Sequence, residues 1–431
     1  MDMDEASPER SQAELELALV NKRYELIDRI VSRVVRRVGP ALTLSELLDR
    51  VLLHRFLAIP IFLAVMWAVF QFAFTVSAPF MTLIGDLFTW LAGLVNSYIT
   101  IGWLRSLLAD GVFGGLGFVL SFLPPIFLLF FALAALEDSG YMARIAFIFD
   151  RLMSRIGLSG KSVLPLLLGF GCNVPAIMAT RVIEDEESRL ITILVNPLMS
   201  CSARLPVYLL IAGTFFGGFA GTAVFSMYLL GILLVIIISS VLRRFVFRGE
   251  PAPLVIELPE YSRPTLKNTT IRMWEEGKIF LRKAATILFF GALLVWFLST
   301  QPWGAPVADS YLGQLGHWLE PLFRPLGFTW QAVVALFSGF LAKEIVVGTF
   351  GVLYSVSGEA AIGGAIAQAM SPLAAFAFMA FVLIYVPCLA TVGAIRGEAG
   401  WRWAAFAVGY ELILAYLVAL LIVGLGRLLG F

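Results

Sequence analysis

Apolar residues arrive along this chain in long uncharged runs, and polar residues are gathered between them. The first run covers roughly 56–76, from Phe56 through Ile59-Pro60-Ile61-Phe62 to Phe74. Others lie near 115–136, 222–241, 284–300 and 403–428. Each is close to the ~20 residues that an α-helix needs to cross ~30 Å of hydrocarbon. A second class of run is equally apolar but interrupted. Ser162–Thr180 is broken at Gly169, Gly171 and Pro175, and 190–216 at Asn196-Pro197 and Arg204-Leu205-Pro206. The run 331–356 is broken at Lys343-Glu344, and 372–395 at Pro387. Residues 87–104 hold Asn96, Ser97 and Thr100 in an apolar setting and predict an interfacial or outer helix. Before the first span, Leu15, Leu19, Leu26, Ile30 and Val34 predict a helix over 13–38, behind a polar stretch at 1–12 that reads as disordered.

Composition sharpens the class. Of 431 residues, 60% are hydrophobic and 14% charged, far from the ~45–50% and ~25% of soluble domains. The pattern therefore predicts an all-α polytopic membrane protein. A net charge of +1 gives no electrostatic case for nucleic acid. No signal peptide precedes the first span, because residues 1–50 are polar and charged.

Lys/Arg asymmetry sets the expected topology. The basic N-terminal region and the segment 243–283, with nine Lys/Arg, belong in the cytoplasm. Segments 217–221 and 357–371 carry none, and 302–330 only Arg324, so these belong outside. The parity closes only if 162–180 and 331–356 are re-entrant hairpins entering from opposite faces. The C-terminus then ends outside, although a separate crossing at 87–104 would invert everything after it. The expected organisation is a cytoplasmic N-terminal segment at 1–55, a first span with outer helix at 56–112, and one repeat at 113–243. A polar cytoplasmic loop at 244–283 and a second, inverted repeat at 284–431 follow. Gly169-Phe170 is echoed by Gly339-Phe340, and Pro197-Leu198-Met199-Ser200-Cys201 by Pro387-Cys388-Leu389-Ala390-Thr391. Paired broken segments mark the mid-membrane site of a transporter, since non-helical backbone survives at that depth only against protein or a wet cavity. Kinked packing helices without a ligand are the competing explanation.

Cys172, Cys201 and Cys388 all sit beside these breaks, too far apart in sequence to form a disulfide framework. A lone buried cysteine is ordinarily a small hydrophobe, but three of three at breaks points to ligation. Thiols with the oxygens of Asn173, Ser200, Ser202 and Thr391 suit a borderline divalent ion such as Fe²⁺; Mn²⁺ and Zn²⁺ stay open. His54 and His317 lie near the surfaces, and Met178 and Met199 are soft donors more suited to packing. Glu344, a carboxylate inside an apolar run, marks a pathway, unless Lys343 simply pairs with it. Glu137 and Asp138 close the second span, where they guide a cation or sit in interfacial water. Arg204 either neutralises a carboxylate or holds an unwound carbonyl. The run Gly157-Leu158-Ser159-Gly160-Lys161-Ser162 ends like a phosphate-binding loop, but Arg155 stands where the pattern needs glycine and no strand precedes it.

At Leu136–Arg144, Gly157–Ser162, Gly169–Thr180, Asn196–Tyr208, Ser338–Glu344 and Pro387–Thr391 the sequence resembles the membrane domain of the ferrous iron transport protein B (FeoB) family. The resemblance spans about 20–425. It implies a nucleoside-transporter-like gate fold with two re-entrant hairpins, and Fe²⁺ uptake through a bacterial inner membrane with the N-terminus cytoplasmic. Cys172 and Cys201 lead the implied iron path, followed by Cys388 and Glu344. No cofactor is implied as permanently bound, and Fe²⁺ enters as cargo. Family members usually begin with a GTPase domain and a helical linker; here only a segment like the linker's last helix, near 21–38, precedes the membrane part. A separate GTPase and a small SH3-like protein are the implied partners, with a homo-oligomer also open and this chain itself not an enzyme. The rivals are a nucleoside or other small-solute carrier on the same fold and a non-transporting membrane scaffold.

Overall fold

A computed structural model describes residues 22–27, 29–30, 44–54, 57–121, 123–247, 260–281, 286–303, 307–354, 356 and 359–430. Contacts divide the chain into two units, Met1–Arg55 and Phe56–Phe431. In the first, 22–27 and 29–30 are helical, and Leu44–Leu52 forms an amphipathic helix. The rest of the predicted 13–38 helix and the polar 1–12 lie outside the described residues.

Among its described residues the second unit has helices and no strands. Its first element, α1, runs unbroken over Ala58–Tyr98, 41 residues, with Pro79 inside it. This corrects the expectation of an interfacial helix at 87–104. Residues 87–98 continue the helix of the first span, with the Ser97 hydroxyl satisfied inside it by Leu94 O at 2.9 Å, and the chain breaks only at 99–101. There is thus no separate crossing at 87–104. The chain returns through Gly102–Ser106, a π-helical stretch Leu107–Phe113, Gly114–Ser121 and α2, Leu123–Asp138.

α3, Tyr141–Arg155, leads into two seven-residue helices, α4 (Val163–Gly169) and α5 (Asn173–Ala179), which pack on each other. At ~1.5 Å per residue each reaches only ~10 Å. Lys161, before α4, meets Glu184, after α5, at 2.7 Å. The chain therefore leaves this hairpin where it entered. α6 (Glu186–Val195) and α7 (Leu205–Phe216) form one interrupted span, and α8 (Ala220–Phe245) a continuous one.

The segment 243–283, expected as a polar loop, contains a helix, α9 (Leu266–Phe280), packed on α2. Its apolar Ile271 and Trp274 escaped the sequence reading because charged residues flank them; the Trp274 ring meets Phe127 in a tilted pair with centroids 6.0 Å apart. The second half then repeats the order of elements: α10 (Thr286–Thr300), α11 (Tyr311–Phe323), a hairpin α12 (Trp330–Leu341) and α13 (Ile345–Tyr354), α14 (Glu359–Ala369), a broken span α15 (Pro372–Ile384) and α16 (Leu389–Ala399), and α17 (Trp401–Leu428). α11 and α14 occupy segments read earlier as plain outer connections. Among the described residues, five helical stretches are long and apolar enough to cross a membrane: Pro60–Tyr98, Gly102–Asp138, Glu186–Phe245, Pro372–Ala399 and Trp401–Leu428. The chain is a multi-pass all-α membrane protein.

Candidate metal path at the four helix breaks

Each hairpin is seated against the broken span of its own half through a glycine. A Cβ on Gly169 would meet the Met199 side chain at 2.9 Å and Asn196 Oδ1 at 3.0 Å. A Cβ on Gly339 would strike the Tyr385 hydroxyl and Val346. The Gly-Phe echo between the halves thus has one physical reason: a side chain there would push the hairpin off the break.

The breaks expose carbonyls that no helix satisfies, and two buried cations take them. Arg204, fully buried, donates from Nη1 to Met199 O at 2.6 Å and from Nη2 to Pro197 O at 2.8 Å. Lys343, at the tip of the second hairpin, donates to Val386 O at 2.8 Å, and its Nζ lies 3.2 Å from the Tyr385 ring centroid. Of the two roles read for Arg204, the structure shows the carbonyl clamp. The alternative reading, a Lys343–Glu344 ion pair, is not seen among the described residues: the ammonium turns instead to the Val386 carbonyl and the Tyr385 ring.

All four interruptions open on one cavity of about 140 Å³. Cys172 and Asn173 come from the first hairpin tip, Cys201 and Ser202 from the first break, Glu344 from the second hairpin tip, and Cys388 and Thr391 from the second break. Seven of the eight residues singled out in the sequence therefore share one wall. Ser200 is the exception. It is buried behind the break and bonds the Tyr208 hydroxyl at 3.3 Å, because backbone alternation through the extended 199–201 turns it away.

Donor geometry on the cavity is specific. Cys388 Sγ lies 3.1 Å from Thr391 Oγ1, the Cys172 thiol faces the Val174 amide, and Ser202 Oγ donates to Gly171 O at 2.8 Å. Asn173 is 4% exposed and its Oδ1 has no hydrogen-bond partner. A buried orphan acceptor is costly unless something arrives to use it. Among the described residues no three His, Cys, Asp or Glu side chains are close enough to share one metal ion. The donors line one cavity without enclosing a fixed chelate among the described residues.

Several residues here escaped the sequence reading. Met81 of α1 brings a thioether to the cavity, and the Ser77 hydroxyl approaches its sulfur at 3.8 Å. Its helix had been placed outside the repeats, so only the fold reveals it. Met178 and Met199 do not line this cavity. Glu411 of α17 is fully buried, with one carboxylate oxygen unpartnered and the other 3.4 Å from Tyr410 Oη. Its signal was available: a single carboxylate in the otherwise apolar 403–428 run.

The loop that mimics a phosphate-binding motif serves the first hairpin. The Gly160 amide donates to Asp150 Oδ1 at 3.1 Å, Lys161 ties the hairpin base, and the Ser162 hydroxyl is buried. Lys161 holds the carboxyl of Glu184 below its ordinary range through that hydrogen bond. The expected guide residues Glu137 and Asp138 meet Arg272 of α9 at 3.1 and 3.4 Å.

Comparison with known proteins agrees with this architecture. A nucleoside-recognition (Gate) family model matches residues 119–215 and 281–402, and the model for the ferrous iron transport protein B C terminus matches 224–276. A protein of Campylobacter jejuni subsp. jejuni named Fe(2+) transporter FeoB is 37% identical over 94% of this chain and 69% of its own length. The chain belongs to the FeoB family. An Fe(2+) transporter FeoB of Methanocaldococcus jannaschii is 47% identical, over 97% of this chain and 64% of that protein. An Fe(2+) transport protein A/Fe(2+) transporter FeoB fusion protein of Porphyromonas gingivalis is 41% identical, over 96% and 55%. The chain spans roughly three fifths of the length of the FeoB relatives it matches. No solved structure matches it.

Proposed function

We propose that this chain passes ferrous iron across a bacterial inner membrane, with its N-terminus in the cytoplasm, through the cavity where the four breaks meet. One observation carries the reading: three cysteines, one glutamate and the amide-bearing Asn173 line a single cavity. Fe²⁺ exchanges part of its water shell for Cys172, Cys201, Cys388, Glu344, Asn173, Ser202 and Thr391, a mixed soft and hard set suited to a borderline ion. The names of the relatives support the same cargo. Relative motion of the two repeats then alternates access.

The reading assigns no nucleotide hydrolysis to these 431 residues, since the only loop resembling a phosphate site is consumed by packing. A GTPase and a small SH3-like protein are the proposed partners. The printed name of the Porphyromonas gingivalis relative, which joins a transport protein A to a FeoB, supports the second. Fe²⁺ influx into vesicles carrying the purified chain, compared with Mn²⁺, Zn²⁺ and uridine, tests the function. Iron flux that falls at least tenfold in Cys172→Ser and Cys201→Ser is the expected result. Unchanged flux in both removes the thiol path, and uridine uptake without metal uptake replaces the cargo.

A further inference from the structure

A second, larger cavity of about 720 Å³ lies elsewhere on the same elements. It is lined by the bases of the first hairpin, by α2 and α3, and by α9. Its order along the chain is informative. On the hairpin, the tip residues 171–174 line the first cavity, whereas Leu164, Leu168, Pro175 and Met178 on the arms line the second. On α2, Pro125, Ile126 and Leu129 line the first, whereas Phe130, Leu133 and Glu137 line the second. Those two sets on α2 are centred about seven residues apart, roughly 10 Å along the axis. Two elements that share no sequence thus give the same direction, from hairpin tip to hairpin base.

Where the two linings adjoin along α2 and the hairpin, the described side chains are buried and apolar. Leu129, Phe130, Leu168 and Val174 are each below 10% exposed. The larger chamber is polar at its far end. Its cations are matched: Lys161 by Glu184, Arg181 by Glu398, and Arg272 by Glu137 and Asp138. Glu275 and Glu276 join no salt bridge among the described residues, and Glu276 Oε2 has no hydrogen-bond partner. The uncompensated charge there is negative, which draws cations.

We propose that the two cavities are chambers of one conduit running down the first hairpin, closed in this structure by an apolar plug of Phe130 and Leu168 backed by Leu129 and Val174. The plug rests on the proposed function for its cargo but not for its geometry. An apolar constriction bars a hydrated ion by dewetting. The small hairpin arm bearing Leu168 is the element whose displacement opens it.

The test is thiol accessibility in sealed membranes, which needs no iron. With Cys201 and Cys388 changed to Ser, Cys172 is labelled by the impermeant cationic reagent MTSET, applied to the side bearing Glu137 and Arg272. A separate Met178→Cys variant with all three native cysteines replaced by Ser reports entry into the vestibule. The expected result is rapid labelling at position 178 and slow labelling of Cys172 in the parent. Phe130→Ala and Leu168→Ala then raise Cys172 labelling about tenfold or more, as closed-state populations govern access. Cys172 labelling as fast as position 178 in the parent means no plug exists. Unchanged Cys172 labelling in both variants, each eluting as a folded monodisperse protein, overturns the conduit. Where alanine prevents folding, Phe130→Leu and Leu168→Val carry the same comparison with a smaller rise expected. Loss of iron flux with the labelling pattern intact would discard the cargo and keep the plug.

Discussion

The two broken spans solve the same problem with different wiring. At the first, the cation that caps the freed carbonyls is Arg204, five and seven residues from its acceptors Met199 and Pro197. That clamp is local, since one short segment supplies both the interruption and its cation, and the break meets its hairpin separately through Ser202 Oγ on Gly171 O and Asn196 Nδ2 on Pro165 O. At the second, the cation is Lys343, forty-three residues from Val386 and carried on the opposing hairpin. There the clamp is also a joint, because its cation ties the hairpin tip to the break. A planar guanidinium serves the first because it meets two carbonyls at once, while an ammonium serves the second as a point contact. The difference predicts that loss of Arg204 disturbs the first break locally, whereas loss of Lys343 disturbs hairpin and break together.

Removing the self-contained clamp should cost most. Arg204→Ala strands two buried carbonyls and is expected to lower stability by about 3–5 kcal/mol, read as a fall in thermal midpoint in detergent; Arg204→Lys should recover only part, since one ammonium reaches one carbonyl well. Lys343→Met comes next, with about 2–3 kcal/mol lost from a charged hydrogen bond and a cation–π contact. Its signature differs: protease cleavage or hydrogen exchange should increase at both the 342–344 tip and the 385–388 break. Protection lost at one site alone would refute the joint.

A third contact bridges the halves. Glu398, only 5% exposed at its side chain, receives Arg181 Nε at 2.9 Å and Arg189 Nη2 at 3.0 Å. Glu398→Gln should cost about 1–2 kcal/mol, discounted because both arginines are partly exposed. The smallest effect is expected at Glu276, where burial pushes the carboxyl above its ordinary range. The charged form is disfavoured on folding, so its cost is absent below the ordinary carboxylate value and fully present above the raised one. Glu276→Gln should therefore stabilise by under about 1 kcal/mol near neutral pH and leave stability unchanged in acid. A benefit confined to acid would have the wrong sign.

What could be read in the sequence was whatever a run of apolar residues or a breaker encodes locally. Gly169, Pro175, Pro197 and Pro387 disclosed the interruptions, and charge parity required the hairpin whose base Lys161 and Glu184 now close. The three cysteines followed, because each adjoins a breaker. What stayed hidden depends on neighbours distant in the chain. Met81 sits in a helix that looks like a plain span, and only packing turns it to the cavity. The turn of Ser200 toward Tyr208 is set by the extended backbone of one break. The role of Lys343 stayed open because adjacency to Glu344 offered one partner, whereas the carbonyl that holds it lies forty-three residues on. The helix at 266–280 was missed for the opposite reason: its charges outweighed its apolar face.

The 41-residue α1 also works as a depth gauge. Trp67 and Trp90 both project outward, 68% and 60% exposed, and indole rings favour the two headgroup layers. Twenty-three residues separate them, about 35 Å of helix, close to the thickness of a hydrocarbon slab plus its margins. Ala73, Phe74 and Met81, which α1 lends to the cavity wall, lie six, seven and fourteen residues into that interval, on either side of its centre. An ion resting among the thiols would stand near the electrical midpoint of the membrane, so its occupancy should sense roughly half of any applied potential.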